Sequence, residues 1–221
     1  MKGSDFARDL VRNQEQIFEN ILESKHLEAQ MRYFATMGAL FAALYGLCCG
    51  FYAAHLQILF AAIKVPLLLF GTMAICLPTL YTFNLLLGSK LSFKQTLAVL
   101  LMSNYLLCLV LVSFAPILLF FILSTSSKSF AILLNVAIFT ISGLFGVSLL
   151  WKAMQFLSER SGDTDKAVII KVWSVIYMFV GTQMAWLLRP FIGEKDAVIL
   201  FREIEGNFYV AVFHSFLDLF K

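Results

Sequence analysis

Arg189 follows Trp186 by three residues, and Pro190 comes directly after. A guanidinium holds phosphate or carboxylate through paired donors, so this trio reads as a contact for an anion or a lipid headgroup. The other reading is an interfacial anchor, with the indole at headgroup depth and the proline ending the helix. Further on, Glu194, Asp196, Glu203 and Glu205 alternate with Lys195 and Arg202 before Gly206-Asn207. Paired carboxylates can act as general acid and base, but this spacing is also that of a solvated connector with a turn.

His26, His55 and His214 lie in three different regions, and Cys48, Cys49, Cys76 and Cys108 all fall inside apolar runs. Neither set has ligand spacing, so no metal or other cofactor is expected and the thiols read as small buried hydrophobes. Asp163 and Asp165 in Ser161-Gly162-Asp163-Thr164-Asp165 open like a calcium loop, but the later ligands are missing, which leaves a turn. The chain has no phosphate-binding loop, dinucleotide turn, zincin helix or nucleophile elbow. A non-enzymatic protein is expected.

The elements that must carry these residues are set by solvent. The chain of 221 residues is 60% hydrophobic and 14% charged, with mean hydropathy +0.84. Those proportions exceed the apolar share of soluble domains and describe a chain partnered by a lipid bilayer. A net charge of +3 with interspersed signs forms no basic stripe, so nucleic acid is not expected as a partner. The polar first thirty residues lack a signal-peptide pattern, so the first span is expected to target the protein.

Five uncharged stretches occupy 33–63, 65–89, 95–127, 129–151 and 172–188. About 20 apolar residues cross the hydrocarbon, so the first four suffice, and the fifth does once 167–170 are included and Lys171 snorkels. The expected fold is all-α: a polytopic transmembrane helical bundle of about five spans, with an N-terminal amphipathic helix and a C-terminal interfacial helix. Its parts would be a cytoplasmic helix at 1–32, the bundle at 33–189 and an extracytoplasmic interfacial tail at 190–221. Span one is placed at 33–54, with 56–63 at the interface and Pro66 in the first turn of span two. Pro78 and Pro116 should kink spans two and three, with the hydroxyls of Thr79 and Ser113 helping to restore local bonding.

With the N-terminus inside, the cytoplasmic side carries eleven lysines and arginines and the opposite side six. This asymmetry orients the N-terminus to the cytoplasm, in a membrane of the bacterial inner-membrane type.

Phe6, Leu10, Ile17 and Ile21 repeat at helical spacing and form an apolar stripe, widened by Val11, Phe18 and Leu22. Its polar face mixes acids and bases, unlike a helix that binds anionic lipid, so the stripe reads as a surface for a protein partner or as a cap on the chain's own bundle. Gly38, Ala42, Gly46 and Gly50 form a four-residue ladder in span one, which permits close approach of another helix of the chain or of a second copy. Span four repeats the idea with Asn135, Ser142 and Gly146, and span five with Ser174, Gly181 and Ala185. Asn84, Asn104, Asn135 and Gln183 are the amides expected at membrane depth, with no ionisable residue beside them. That counts against a proton-coupled pump and favours interhelical hydrogen bonds, with a polar pore lining as the alternative.

The layout from Val65 to Ser158 resembles the YIP (Ypt/Rab-interacting) membrane proteins and their bacterial relatives. The likeness is carried by Asn84-Leu85-Leu86-Leu87-Gly88-Ser89-Lys90, then Leu91-Ser92-Phe93-Lys94-Gln95-Thr96 opening a span with internal Pro116. It implies membrane organisation or partner recruitment without chemistry; the acidic and aromatic N-terminal motif of the eukaryotic members is absent. The function expected is therefore a membrane scaffold or assembly protein recruiting a protein partner. The alternative is an oligomeric channel or transporter for a small solute, assembled along the Gly38 ladder.

Overall fold

The computed structural model describes residues 3–52, 55–86, 91–125, 127–160, 167–189, 191–192 and 208–218. All secondary structure among them is helical: α1 (Gly3–Arg12), α2 (Gln14–Leu22), α3 (Leu27–Gly50), α4 (His55–Leu86), α5 (Phe93–Ser124), α6 (Lys128–Arg160), α7 (Ala167–Leu188) and α8 (Phe208–Leu217).

Four helices are long and apolar enough to cross a bilayer: α3, α4 over Gln57–Leu85, α5, and α6 over Lys128–Leu157. Between 33% and 44% of each most apolar window is buried inside the chain, and the outward residues are themselves apolar. Leu59, Ile63, Leu67, Ile75, Phe120, Leu123, Leu144 and Phe145 are all exposed. Apolar residues around the whole circumference of a helix call for hydrocarbon on the outside as well as protein on the inside.

At the centre stands α5, which packs on α3, α4 and α6; α3 also packs along α4. Leu111 and Leu118 are completely buried on α5, and Tyr105 sits among Phe34, Phe41 and Tyr33 with ring centroids 5.3–5.8 Å apart. α7 lies mainly against α4, and α8 against α6 and α7 without burying any residue of its own.

Three expectations about spans need correction. Leu56 to Ile63 is not separate from span two: α4 is continuous from His55, and Pro66 lies in its interior instead of its first turn. Lys64, read as the end of a stretch, is inside this helix and only 4% exposed, so an ionisable group does lie within an apolar span. The helix of span one begins at Leu27, six residues before the expected start of the span, because helical backbone continues past the last apolar residue into Glu28 and Arg32. Both α4 and α5 pass through Pro78 and Pro116 without interruption. Ser113 Oγ donates to the Leu109 carbonyl at 2.8 Å, not to the carbonyl of Val112 that Pro116 leaves without its helical donor.

The N-terminal stripe forms two helices, not one. Asn13, with φ −136°, breaks it between α1 and α2. A four-residue turn follows, in which Ser24 and His26 adopt left-handed backbone angles of φ 56° and 53°. This turn reverses the chain so that α2 lies against α5 and α6 while α3 departs into the bundle.

Candidate functional site

The N-terminal cap is built from the apolar stripe upward. Phe6 is 2% exposed, Leu10 1%, and Ile17 and Ile21 are fully buried. Phe6 packs on Tyr33 and Phe34 with centroids 5.7 and 6.3 Å away, and Phe18 packs on Phe156 at 5.6 Å. The stripe is therefore closed onto the chain's own bundle, and these four residues do not form a free partner-binding surface. The physical reason is proximity: α3, α5 and α6 present apolar ends within reach of a short tether, and burial there removes Phe6, Leu10, Ile17, Phe18 and Ile21 from water while Val11 at the stripe's edge stays exposed.

Gln95 holds the cap in place. Its Oε1 accepts from the Ser92 backbone N–H at 2.8 Å while Ser92 Oγ accepts from the Gln95 N–H at 3.3 Å, a capping box at the start of α5. The amide nitrogen of the same side chain donates to the carbonyls of Ile21 at 3.1 Å and Leu22 at 2.8 Å. Those carbonyls belong to the last turn of α2, where the intrahelical ladder runs out, and the Ile21 carbonyl also accepts from the Ser24 N–H at 3.1 Å. One amide thus satisfies the beginning of one helix and the end of another. Exposed pairs add Lys94 to Glu28 at 3.1 Å and Arg160 to Glu19 at 2.9 Å. Glu23, 2.6 Å from Lys25, raises the pKa of that ammonium through their hydrogen bond and opposite charge.

With the stripe covered, the cap turns a mixed polar face outward: Arg12, Asn13, Glu15, Gln16, Glu23 and Lys25 are exposed. A surface groove of about 400 Å³ at the base of the α2–α3 turn touches Ser24, His26, Glu28, Ser92 and Lys94.

The glycine ladder is also consumed internally. A Cβ on Gly46 would run into the Ala61 carbonyl and lie 2.9 Å from Ala62 Cα; on Gly50 it would collide with the Ile58 backbone. Gly38 faces Phe70 and Tyr105 at ordinary contact distance, and Ala42 is fully buried. The ladder is where α4 and α5 seat on α3, so it offers no face to a second copy. Gly146 plays the same part between α6 and α5, where a Cβ would lie 3.1 Å from the Ser103 carbonyl oxygen.

Inside the bundle, Tyr45 donates its hydroxyl to Asn135 Oδ1 at 2.8 Å, and Cys49 Sγ approaches the same oxygen at 3.6 Å. Trp151 Nε1 donates to Ser174 Oγ at 2.7 Å, joining α6 to α7. By contrast Asn84 Nδ2, both amide atoms of Asn104 and Ser142 Oγ are buried without a hydrogen-bond partner among the described residues. Cys49, Cys76 and Cys108 are buried and Cys48 half-buried. No three His, Cys, Asp or Glu converge on a point among the described residues.

At the far end of α7 the Arg189 guanidinium lies 3.3 Å above the Trp186 ring centroid. The two residues are brought together as a cation–π pair, the geometry of an aromatic anchor with its charge kept nearby. Pro190, the turn expected at 161–165, the carboxylates Glu194 to Glu205 and the Gly206-Asn207 turn lie outside the described residues. Sequence reasoning missed Gln95 as a latch; the signal available was Ser92-x-x-Gln95, a capping-box spacing at the head of an apolar run.

Fold and site together define a class, a multi-helix membrane protein with four helices of spanning length and composition and a cap docked across one end of them. No protein-family description, curated protein or solved structure matches the chain.

Proposed function

We propose that the chain is a non-enzymatic membrane scaffold that presents the outer, charged face of α1 and α2 to a protein partner on the cytoplasmic side. The observation that carries this reading is the Gln95 latch. A cap whose apolar face is buried and whose last turn is tied to α5 holds Arg12, Glu15 and Glu23 in a fixed array. Recruitment through the apolar stripe itself is abandoned, because Ile17 and Ile21 are fully buried.

The finer topology belongs to the same proposal. α7 serves as a fifth span: it has 22 residues, and Val172, Val175, Phe179 and Leu187 point outward. Lys171 snorkels from its first turns. The lysine and arginine asymmetry then places the N-terminus in the cytoplasm of a bacterial-type inner membrane, and α8 lies at the opposite interface. The resemblance to YIP proteins supports membrane organisation as the role.

The test is the intact mass of the complex extracted gently from its native membrane. A stoichiometric second protein is expected, lost when Glu15→Lys and Glu23→Lys are combined while insertion persists. A lone chain, or a companion indifferent to the charge reversal, would refute the scaffold. A second reading, an oligomeric channel or transporter for a small solute, is favoured by Lys64 within α4 and by the buried amides of Asn84 and Asn104. It would appear as a homo-oligomer carrying solute flux, joined by faces other than the glycine ladder.

A further inference from the structure

Asn104 is the twelfth residue of α5, about 16 Å along the axis from Phe93 at 1.5 Å per residue, so it sits deep in the apolar part of the bundle. It is 3% exposed, and neither its amide nitrogen nor its amide oxygen has a partner among the described residues. Buried amides are almost always bonded, and hydrocarbon supplies neither donor nor acceptor.

At Gly146, α6 and α5 touch so closely that a Cβ would come within 3.1 Å of Leu107 and of the Ser103 carbonyl oxygen. At Gly143, one turn earlier, a Cβ would meet nothing within 4 Å. Beside these two glycines lies a small, partly open cavity lined by Ser103, Asn104, Leu107, Gly143, Gly146 and, from α7, Tyr177. About 20 Å³ of it is open to the centre of a water molecule, enough for one, since about 10–15 Å³ is required.

We propose that this cavity is a binding site for a single water molecule, held by Asn104 at membrane depth between α5, α6 and α7. Empty protein cavities are apolar, whereas a buried water needs two to four polar partners. The Asn104 amide supplies a donor and an acceptor. The Ser103 hydroxyl gives its hydrogen to the Val99 carbonyl at 3.0 Å and keeps its lone pairs for a donor. The site rests on neither the partner surface nor the solute reading above.

X-ray radiolytic labelling in lipid nanodiscs tests it, because hydroxyl radicals form from water where it is bound. Leu107, which lines the cavity, is expected to oxidise several-fold faster than Leu111 and Leu118, fully buried on the same helix. Gly143→Val, whose side chain enters open space, should bring Leu107 down to their rate while leaving the thermal midpoint of the protein near wild type. Asn104→Leu should do the same to the labelling by removing the polar anchor. Equal labelling of Leu107 and Leu111 in the wild type overturns the proposal, as it would if a lipid-borne group filled the cavity. A Leu107 rate unchanged by Gly143→Val also overturns it.

Discussion

The amide nitrogen of Gln95 donates to the carbonyl of Leu22 at 2.8 Å, although 73 residues separate them in the chain. The same side chain closes the capping box of α5 through its oxygen, so neither function can be removed by deletion without the other.

Gln95→Glu separates them. A carboxylate still accepts from the Ser92 N–H but donates nothing to Ile21 or Leu22, so the cap should loosen while the start of α5 persists. Gln95→Ala loses both and should cost about 2 kcal/mol, a cap plus a net hydrogen bond. Amide hydrogen exchange resolves the two: α2 exchanges faster in both variants, the first turn of α5 only in Gln95→Ala.

The cap should depend on burial far more than on its surface ion pairs. Ile21→Asp puts a charge where no water reaches and should free α1 and α2, with proteolysis appearing at the turn around Ser24 and His26. Glu19→Gln breaks only the exposed pair with Arg160 and should cost less than about 1 kcal/mol. Comparable proteolysis of the two variants would contradict this ordering.

The ladder glycines should differ sharply among themselves. Gly46→Ala drives a methyl into the Ala61 backbone, which cannot rotate away, and should destabilise the bundle by about 1–3 kcal/mol as overpacking does. Gly38→Ala meets Phe70 and Tyr105 at 3.5–3.6 Å and should be tolerated. Thermal unfolding in detergent reads the difference, and subunit number should stay unchanged by Gly38→Ala.

Tyr45 and Asn135 should be energetically coupled. Each of Tyr45→Phe and Asn135→Leu removes the 2.8 Å bond, and the double variant should cost less than the sum of the two. A coupling of about 0.6–1.7 kcal/mol is the range for such bonds in lipid. Additive single costs would mean that the bond contributes nothing.

The sequence made much of this architecture legible. Uncharged runs located the four long helices, and small residues at four-residue spacing located the closest helix contact. What pattern could not supply was the identity of the covering surface. The period of Phe6, Leu10, Ile17 and Ile21 marks an apolar face but is the same whether a partner or the chain itself covers it. The start of α4 was misplaced because Lys64, between 33–63 and 65–89, was read as the boundary of two apolar runs; it is buried within a continuous helix. The capping-box spacing of Ser92 and Gln95 was in the sequence but was not read, and the second pair of bonds that Gln95 makes is a tertiary fact.

The latch also imposes an order on biogenesis. The carbonyls of Ile21 and Leu22 leave the ribosome long before Gln95, and at about 5–20 residues per second the wait is on the order of 4–15 seconds. Phe156 and Arg160, which complete the seat for Phe18 and Glu19, are translated later still. Phe6 can find Tyr33 and Phe34 as soon as α3 emerges, but throughout that interval Ile17, Phe18 and Ile21 of α2 form an uncovered apolar surface on a nascent chain, one that a chaperone or the membrane surface would shield until the third and fourth long helices arrive.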